Sequence, residues 1–320
     1  MLTPKENALK LFHHKMPEYL PIYGEGLINN VPINGFHERP TGGKDGYDWF
    51  GVHWQFNDGD PAPVPGTNYL LDDICDWRDV VKFPDLDAFD WEKAKELDRI
   101  NTFDRKNNVL YQMIHNGIFE RLNALMGFEN SLMSLLEEPE ECAEYFMAMA
   151  DYKCKLIDKL AEHYQPDIIS YHDDWGTQRN LFFSPDVWRA LIKPATKKIV
   201  DCAHSHGIIF ELHSDGMIKD LVPEIVDDLE VDSIQLMAIN DIPALKKITS
   251  NKVIYNVFIN NQKFETMENL NEEILRNEIR EEIMTQGEDG CYLPSFLLLD
   301  PKWADIIMDE VKQCQKVLYQ

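Results

Sequence analysis

The 320-residue sequence has no uninterrupted apolar run of about eighteen residues, so no membrane-spanning helix is predicted. Cations are scarce: 31 Lys and Arg against 56 Asp and Glu leave a formal net charge of -25. Nucleic-acid affinity comes largely from Lys and Arg releasing counterions, so this surface repels a phosphate backbone, and it repels anionic lipid equally. The six cysteines (Cys75, Cys142, Cys154, Cys202, Cys291, Cys314) are scattered without paired close spacing. Neither a disulfide framework nor a four-cysteine zinc pattern is expected. Met1-Leu2-Thr3-Pro4-Lys5-Glu6 lacks a basic stretch leading into an apolar run, so no signal peptide is read and a cytoplasmic location is expected. Low-complexity segments, internal repeats and a glycine-rich phosphate loop after an early strand are missing too.

What is present is a large apolar fraction, 44%, enough for a sizeable core. Thr3-Pro4-Lys5-Glu6 opens a short helix with a capping-box pattern, and Glu18–Tyr23 reads as a strand. From Gly24 to Trp91 the texture becomes irregular and aromatic, with Trp49, Phe50, Trp54, Phe56, Trp77 and Trp91. Structured loops of that length often carry function. After residue 108 short apolar strands alternate with helices: strands over 109–115, 167–172, 208–213, 233–237, 253–259 and 291–296. Helices fall over Pro139–His163, from Ser184-Pro185 towards Gly207 with Pro194 as a kink, over 218–228, 242–248 and 271–284, and after Asp300-Pro301. With Glu18–Tyr23, seven or eight strands fit a single (β/α)8 TIM-type barrel better than a doubly wound sheet, the irregular excursion covering one end.

In such a barrel the chemistry sits at the C-terminal strand ends. Three endings stand out. Tyr171-His172-Asp173-Asp174-Trp175-Gly176-Thr177-Gln178 follows an Ile-rich strand; its titratable run suits metal binding, proton transfer or substrate clamping, and equally suits a turn. Phe210-Glu211-Leu212-His213-Ser214-Asp215-Gly216 places Glu211 and His213 on one strand face, with Asp215 able to continue it. That is an oxygen- and nitrogen-rich metal inventory, or a histidine paired with a carboxylate for structure. At the third ending, Asn260 with Asn261 and Gln262 can orient a substrate or make a turn. His204 and His206 sit near a helix C-terminus, where the dipole favours imidazole, and His13 and His14 read as solvated.

Asp48-Trp49-Phe50-Gly51-Val52 with Trp54, Asp76-Trp77 leading to Phe83-Pro84-Asp85, Asp173-Asp174-Trp175-Gly176-Thr177-Gln178 with Ser184-Pro185, and the His213-Ser214-Asp215-Gly216 turn together resemble the uroporphyrinogen decarboxylase superfamily. Within it they resemble the cobalamin-dependent methyltransferase branch, over nearly the whole chain. The resemblance implies an α/β barrel, zinc, and methyl exchange between a small methylated substrate and the cobalt of a separate corrinoid protein. Many zinc members carry His-x-Cys where His213-Ser214-Asp215 stands, and a further cysteine near Phe296, where this chain has Ser295-Phe296-Leu297-Leu298. The implied ligands are therefore Glu211, His213 and Asp215. His172, Asp173 and Asp174 are the expected catalytic groups, and Tyr171, Gln178, Trp49, Trp54 and Asn260 the expected substrate contacts. Porphyrinogen decarboxylases hold their carboxylates with an arginine-rich start, and Pro21-Ile22-Tyr23-Gly24-Glu25-Gly26 has no arginine. A corrinoid methyltransferase acting on a methoxy compound or methylamine is the primary expectation. A decarboxylase-like enzyme acting on a small acid and a non-catalytic ligand-binding relative remain alternatives, and a homodimer stays open.

Overall fold

A computed structural model describes residues 2–30, 33–36, 38–40, 42–57, 62–259, 261–295 and 301–319, with backbone only for residues 29, 30, 261, 262, 265 and 301. Eight parallel strands form one nearly closed barrel in chain order. They are β1 (Ile22–Tyr23), β2 (Gly26–Asn30), β3 (Val109–Ile114), β4 (Ile168–His172), β5 (Ile209–Ser214), β6 (Ser233–Met237), β7 (Ile254–Phe258) and β8 (Tyr292–Ser295). The expected (β/α)8-type barrel is therefore present. Two details differ at its start. The strand expected over Glu18–Tyr23 is only two residues long, and Gly26–Asn30, which the sequence placed in the irregular excursion, is a barrel strand. Its Gly-Leu-Ile-Asn-Asn sequence has weak strand propensity, and pairing with β3 overrides it.

The seam is closed by side chains. Asn256 Nδ2 on β7 donates to the Tyr23 hydroxyl at 2.8 Å, and Gln315 Nε2 of the last helix donates to the Leu20 carbonyl at 2.9 Å. Helix α1 (Pro4–Phe12), capped by the Thr3–Glu6 box, plugs the N-terminal end. Its Ala8, Leu11 and Phe12 pack on Leu27, Val109, Ile168, Ile254 and Leu293. The alternate strand residues, such as Phe210 and Leu212, enter the larger core under the outer helices. Of these helices, α2 (Ile118–Met126) follows β3, α3 (Pro139–His163) has the bounds its pattern predicts, and α4 (Lys193–Ser205) follows a π-turn over Trp188–Ile192. Pro194, which donates no backbone hydrogen bond, lies in the first turn of α4, just past that irregularity.

The excursion holds a small antiparallel sheet (Gly46–Tyr47, His53–Gln55, Val64–Pro65) and is clamped to the barrel by buried ion pairs. Lys153 Nζ of α3 meets Glu38 Oε1 at 2.7 Å, and Arg121 of α2 pairs with Asp48. Asp48 also accepts from Trp54 Nε1, Phe50 N and Val52 N, each at 2.9 Å, so this carboxylate organises the loop around itself. Aromatic rings fill the remainder: Trp49 packs on Phe36 and Phe89, and Trp91 stacks on His163 of α3. Among the described residues no helix is long and apolar enough to cross a membrane.

Candidate active site

Inward-facing side chains stack in layers above the apolar plug. The next layer is polar, built from Tyr111, Ser170, Glu211, Ser233, Asn256 and Ser295. Glu211 lies at its centre: Tyr111 Oη donates to Oε1, as does Ser170 Oγ at 3.2 Å, while Ser233 Oγ (2.7 Å) and Asn256 Nδ2 (3.0 Å) donate to Oε2. Burial pushes the Glu211 carboxyl up to about 7, against the pull of these hydrogen bonds.

One layer nearer the mouth lie His172 and His213, adjacent strand residues whose rings stack at 4.0 Å between centroids. Gln235 Oε1 sits 2.7 Å from His213 Nδ1 and accepts a hydrogen bond from its N–H, which leaves Nε2 pointing to Asp174 Oδ1 at 3.6 Å and Asp215 Oδ1 at 3.7 Å. Burial lowers the His213 pKa, but Asp215, Asp174 and the Gln235 bond outweigh it, so the net shift is upward. His172 is pushed well below its ordinary value by burial and by the neighbouring imidazoles, and burial takes His115 down to about 3.

Asp174, His213 and Asp215 each bring a ligand atom within 4.8 Å of the others. Two ligands each about 2.1 Å from a tetrahedral ion stand ~3.4 Å apart, so the observed spacing fits a divalent metal after a small contraction. The donor set is one imidazole and two carboxylates, without sulfur, and Gln235 fixes the tautomer that such a ligand needs. Backbone approach makes this convergence possible. Gly216 has φ +81, and a Cβ there would lie 2.2 Å from the Gly176 carbonyl carbon. The loops carrying Asp174 and Asp215 therefore touch at two glycines, and the Asp215 amide donates to Asp174 Oδ1 at 2.7 Å.

The other expected residues are divided between the mouth and the scaffold. His172 lines the mouth. Asp173, expected as a catalytic group, turns to the N-terminus of α2, where it accepts from Phe119 N (3.1 Å), Glu120 N (2.9 Å) and Trp175 Nε1 (3.0 Å). Burial first, and the Glu120 charge second, raise it to about 8. Tyr171, expected to touch substrate, faces the helices because side chains alternate along β4; its buried hydroxyl accepts from Ile118 N at 2.8 Å. Both residues brace α2. Glu211 shares a face with His213 as expected, but its oxygens serve the polar layer, and Asp174 takes the third position of the metal-capable group. Gln178 is exposed on the turn after the β4 ending, Trp49 is packed within the excursion, and Asn260 lies outside the described residues.

Sequence reasoning missed three neighbours of this group. His115 follows β3 directly, and its ring lies 5.2 Å from that of His172. Arg39, from the excursion, pairs with Glu120 and donates from Nε to Asn116 Oδ1 at 2.6 Å. The Glu120 carboxyl is raised by burial against the pull of Arg39, and its charge acts on His213. A histidine one residue past a strand end is a readable signal; Arg39 arrives by tertiary packing alone. Beside them opens a cleft of about 350 Å³ lined by Arg39, Trp54, Tyr69, Asn116, Glu120 and Phe128. Trp54 lines this cleft; Trp49 does not.

No protein-family model and no curated protein matches the sequence. Among solved structures, the fold is shared with a methyltransferase from Methanosarcina mazei, at a TM-score of 0.67 and 12% identity, over 98% of this chain and 99% of that chain. The two chains share an architecture over nearly their whole lengths.

Proposed function

We propose that this protein is a methyltransferase that takes a methyl group from a small methylated compound, a methoxy compound or a methylamine, and passes it to the cobalt of a corrinoid protein docked over the barrel mouth. The observation that carries the proposal is the convergence of Asp174, His213 and Asp215 at the strand ends beside an aromatic cleft. The sequence resemblance supports the same reaction, and the shared fold is consistent with it.

Asp174, His213 and Asp215 would hold a divalent ion, zinc being the one the resemblance implies. When bound, that ion supplies Lewis-acid stabilisation of the charge left on the atom that loses its methyl group. In the neutral ring Gln235 holds the proton on Nδ1, so that Nε2, aimed at the two carboxylates, is the nitrogen that would bind the ion. Trp54, Tyr69 and Phe128 wall the donor, and Glu120, whose Oε2 has no hydrogen-bond partner among the described residues, offers it a polar contact. The neutral His172 and His115 flank His213 without adding positive charge.

The test is methyl transfer to reduced free cobalamin across a panel of methoxy compounds and methylamines, with metal analysis of the same preparation. Methylated cobalamin formed from at least one donor, dependent on bound metal, is the expected result. No transfer from any donor, together with turnover of a small carboxylic acid, would replace this reading with the decarboxylase-like one.

A further inference from the structure

A second group of ligand-type side chains lies on the outer helical layer. Helix α3 carries Cys154 and Asp158, and the segment formed by α4 and its C-cap carries Cys202 and His206. Residues four apart lie one above the other on a helix face, and the two helices pack together, so each presents its pair to the other. His206 Nε2 lies 2.7 Å from Asp158 Oδ1, and Cys202 Sγ lies 3.9 Å from the same oxygen. The ligand atoms of Asp158, Cys202 and His206 all fall within 4.8 Å of one another. Cys154 adjoins them: its carbonyl accepts from Cys202 Sγ at 3.6 Å, while its own thiol donates to the Lys198 carbonyl at 3.7 Å. None of the four contributes to the barrel mouth.

We propose that Asp158, Cys202 and His206 form a second divalent-metal site, of zinc type, that clamps α3 to α4. One sulfur, one imidazole and one carboxylate supply three positions of a tetrahedral ion, and solvent can take the fourth. The Cys202 thiolate selects a borderline-soft ion over magnesium or calcium. On binding, the Cys202 thiol loses its proton to solvent as its sulfur bonds to the metal, and no electron is transferred. The exposed carboxylate and imidazole give an ion direct entry from solvent.

The test is titration of cobalt(II) into the full-length, reduced, metal-stripped protein, followed by near-ultraviolet thiolate-to-cobalt charge transfer. The mouth group has no sulfur and cannot produce that absorption. A sulfur band saturating at one ion per chain is expected, displaced by zinc, lost in Cys202→Ser and retained in His213→Ala. Affinity should fall at least about tenfold in His206→Ala. With the mouth group disabled, zinc should raise the unfolding midpoint of His213→Ala and leave that of the folded His213→Ala/Cys202→Ser double variant unchanged. No sulfur band with all thiols reduced, or a band that survives Cys202→Ser, would overturn the proposal. So would conversion of Cys154 and Cys202 to a disulfide while cobalt stays unbound.

Discussion

Glu211→Gln isolates the cost of burying an acid in the polar layer of the barrel. Glu211 is completely buried and its carboxyl is raised from 4.5 to about 7. Between those values the folded chain holds a proton that the unfolded chain has released, so stability must fall as pH rises. Below 4.5 both states are protonated and nothing is lost; above about 7 both are ionised and the full cost is present. At about 1.4 kcal/mol per factor of ten, the difference amounts to about 3 kcal/mol. Glutamine keeps the shape and stays uncharged throughout, so its stability relative to wild type should climb by that amount across the interval. Urea unfolding of both proteins at a series of pH values, in chelator so that no ion contributes, measures the gap. Repeating the comparison in a His213→Ala background removes the one neighbouring charge coupled to Glu211, and the remaining titrating groups are common to both chains. A gap that stays constant with pH would show that Glu211 is already ionised in the fold, and would refute the burial argument.

Lys153→Met should destabilise the protein by about 3–5 kcal/mol, because Glu38 is left buried without its partner. Adding Glu38→Gln should recover part of that loss in denaturant unfolding. Gln235→Leu should weaken divalent-metal affinity by about 10–100-fold, since His213 Nδ1 loses the acceptor that fixes its tautomer; titration calorimetry reads this directly. Gly216→Ala combines a positive φ with a contact on the Gly176 backbone, so it should cost at least about 1–3 kcal/mol. Metal affinity should fall with it, because the loops carrying Asp174 and Asp215 are forced apart.

Much of the barrel was legible because its signals are local. The apolar repeat of Pro139–His163 and the short runs of β4 to β7 state their structure within their own length. The alternation of Glu211 and His213 likewise gave their shared face. Gly26–Asn30 was hidden because glycine and asparagine carry no strand signal, and only its neighbours make it a strand. Asp173 and Asp174 are adjacent in sequence, yet one caps a helix and the other meets His213; a one-residue step reverses direction, and composition cannot show which is which. Arg39 and Glu120 are 81 residues apart and pair only through the packing of the excursion. The Cys154–Cys202 contact spans 48 residues and needs the pairing of two helices, which is why the cysteines read as scattered.

The most direct measurement is metal content and methyl transfer in His213→Ala beside wild type. His213 supplies the nitrogen of the Asp174–His213–Asp215 group, and its removal leaves two carboxylates with one ligand too few for a three-ligand site. Bound metal at the mouth and methyl transfer to cobalamin should fall together, while the unfolding transition stays cooperative. Full metal occupancy with full transfer in His213→Ala would contradict the assignment and make His213 a structural residue.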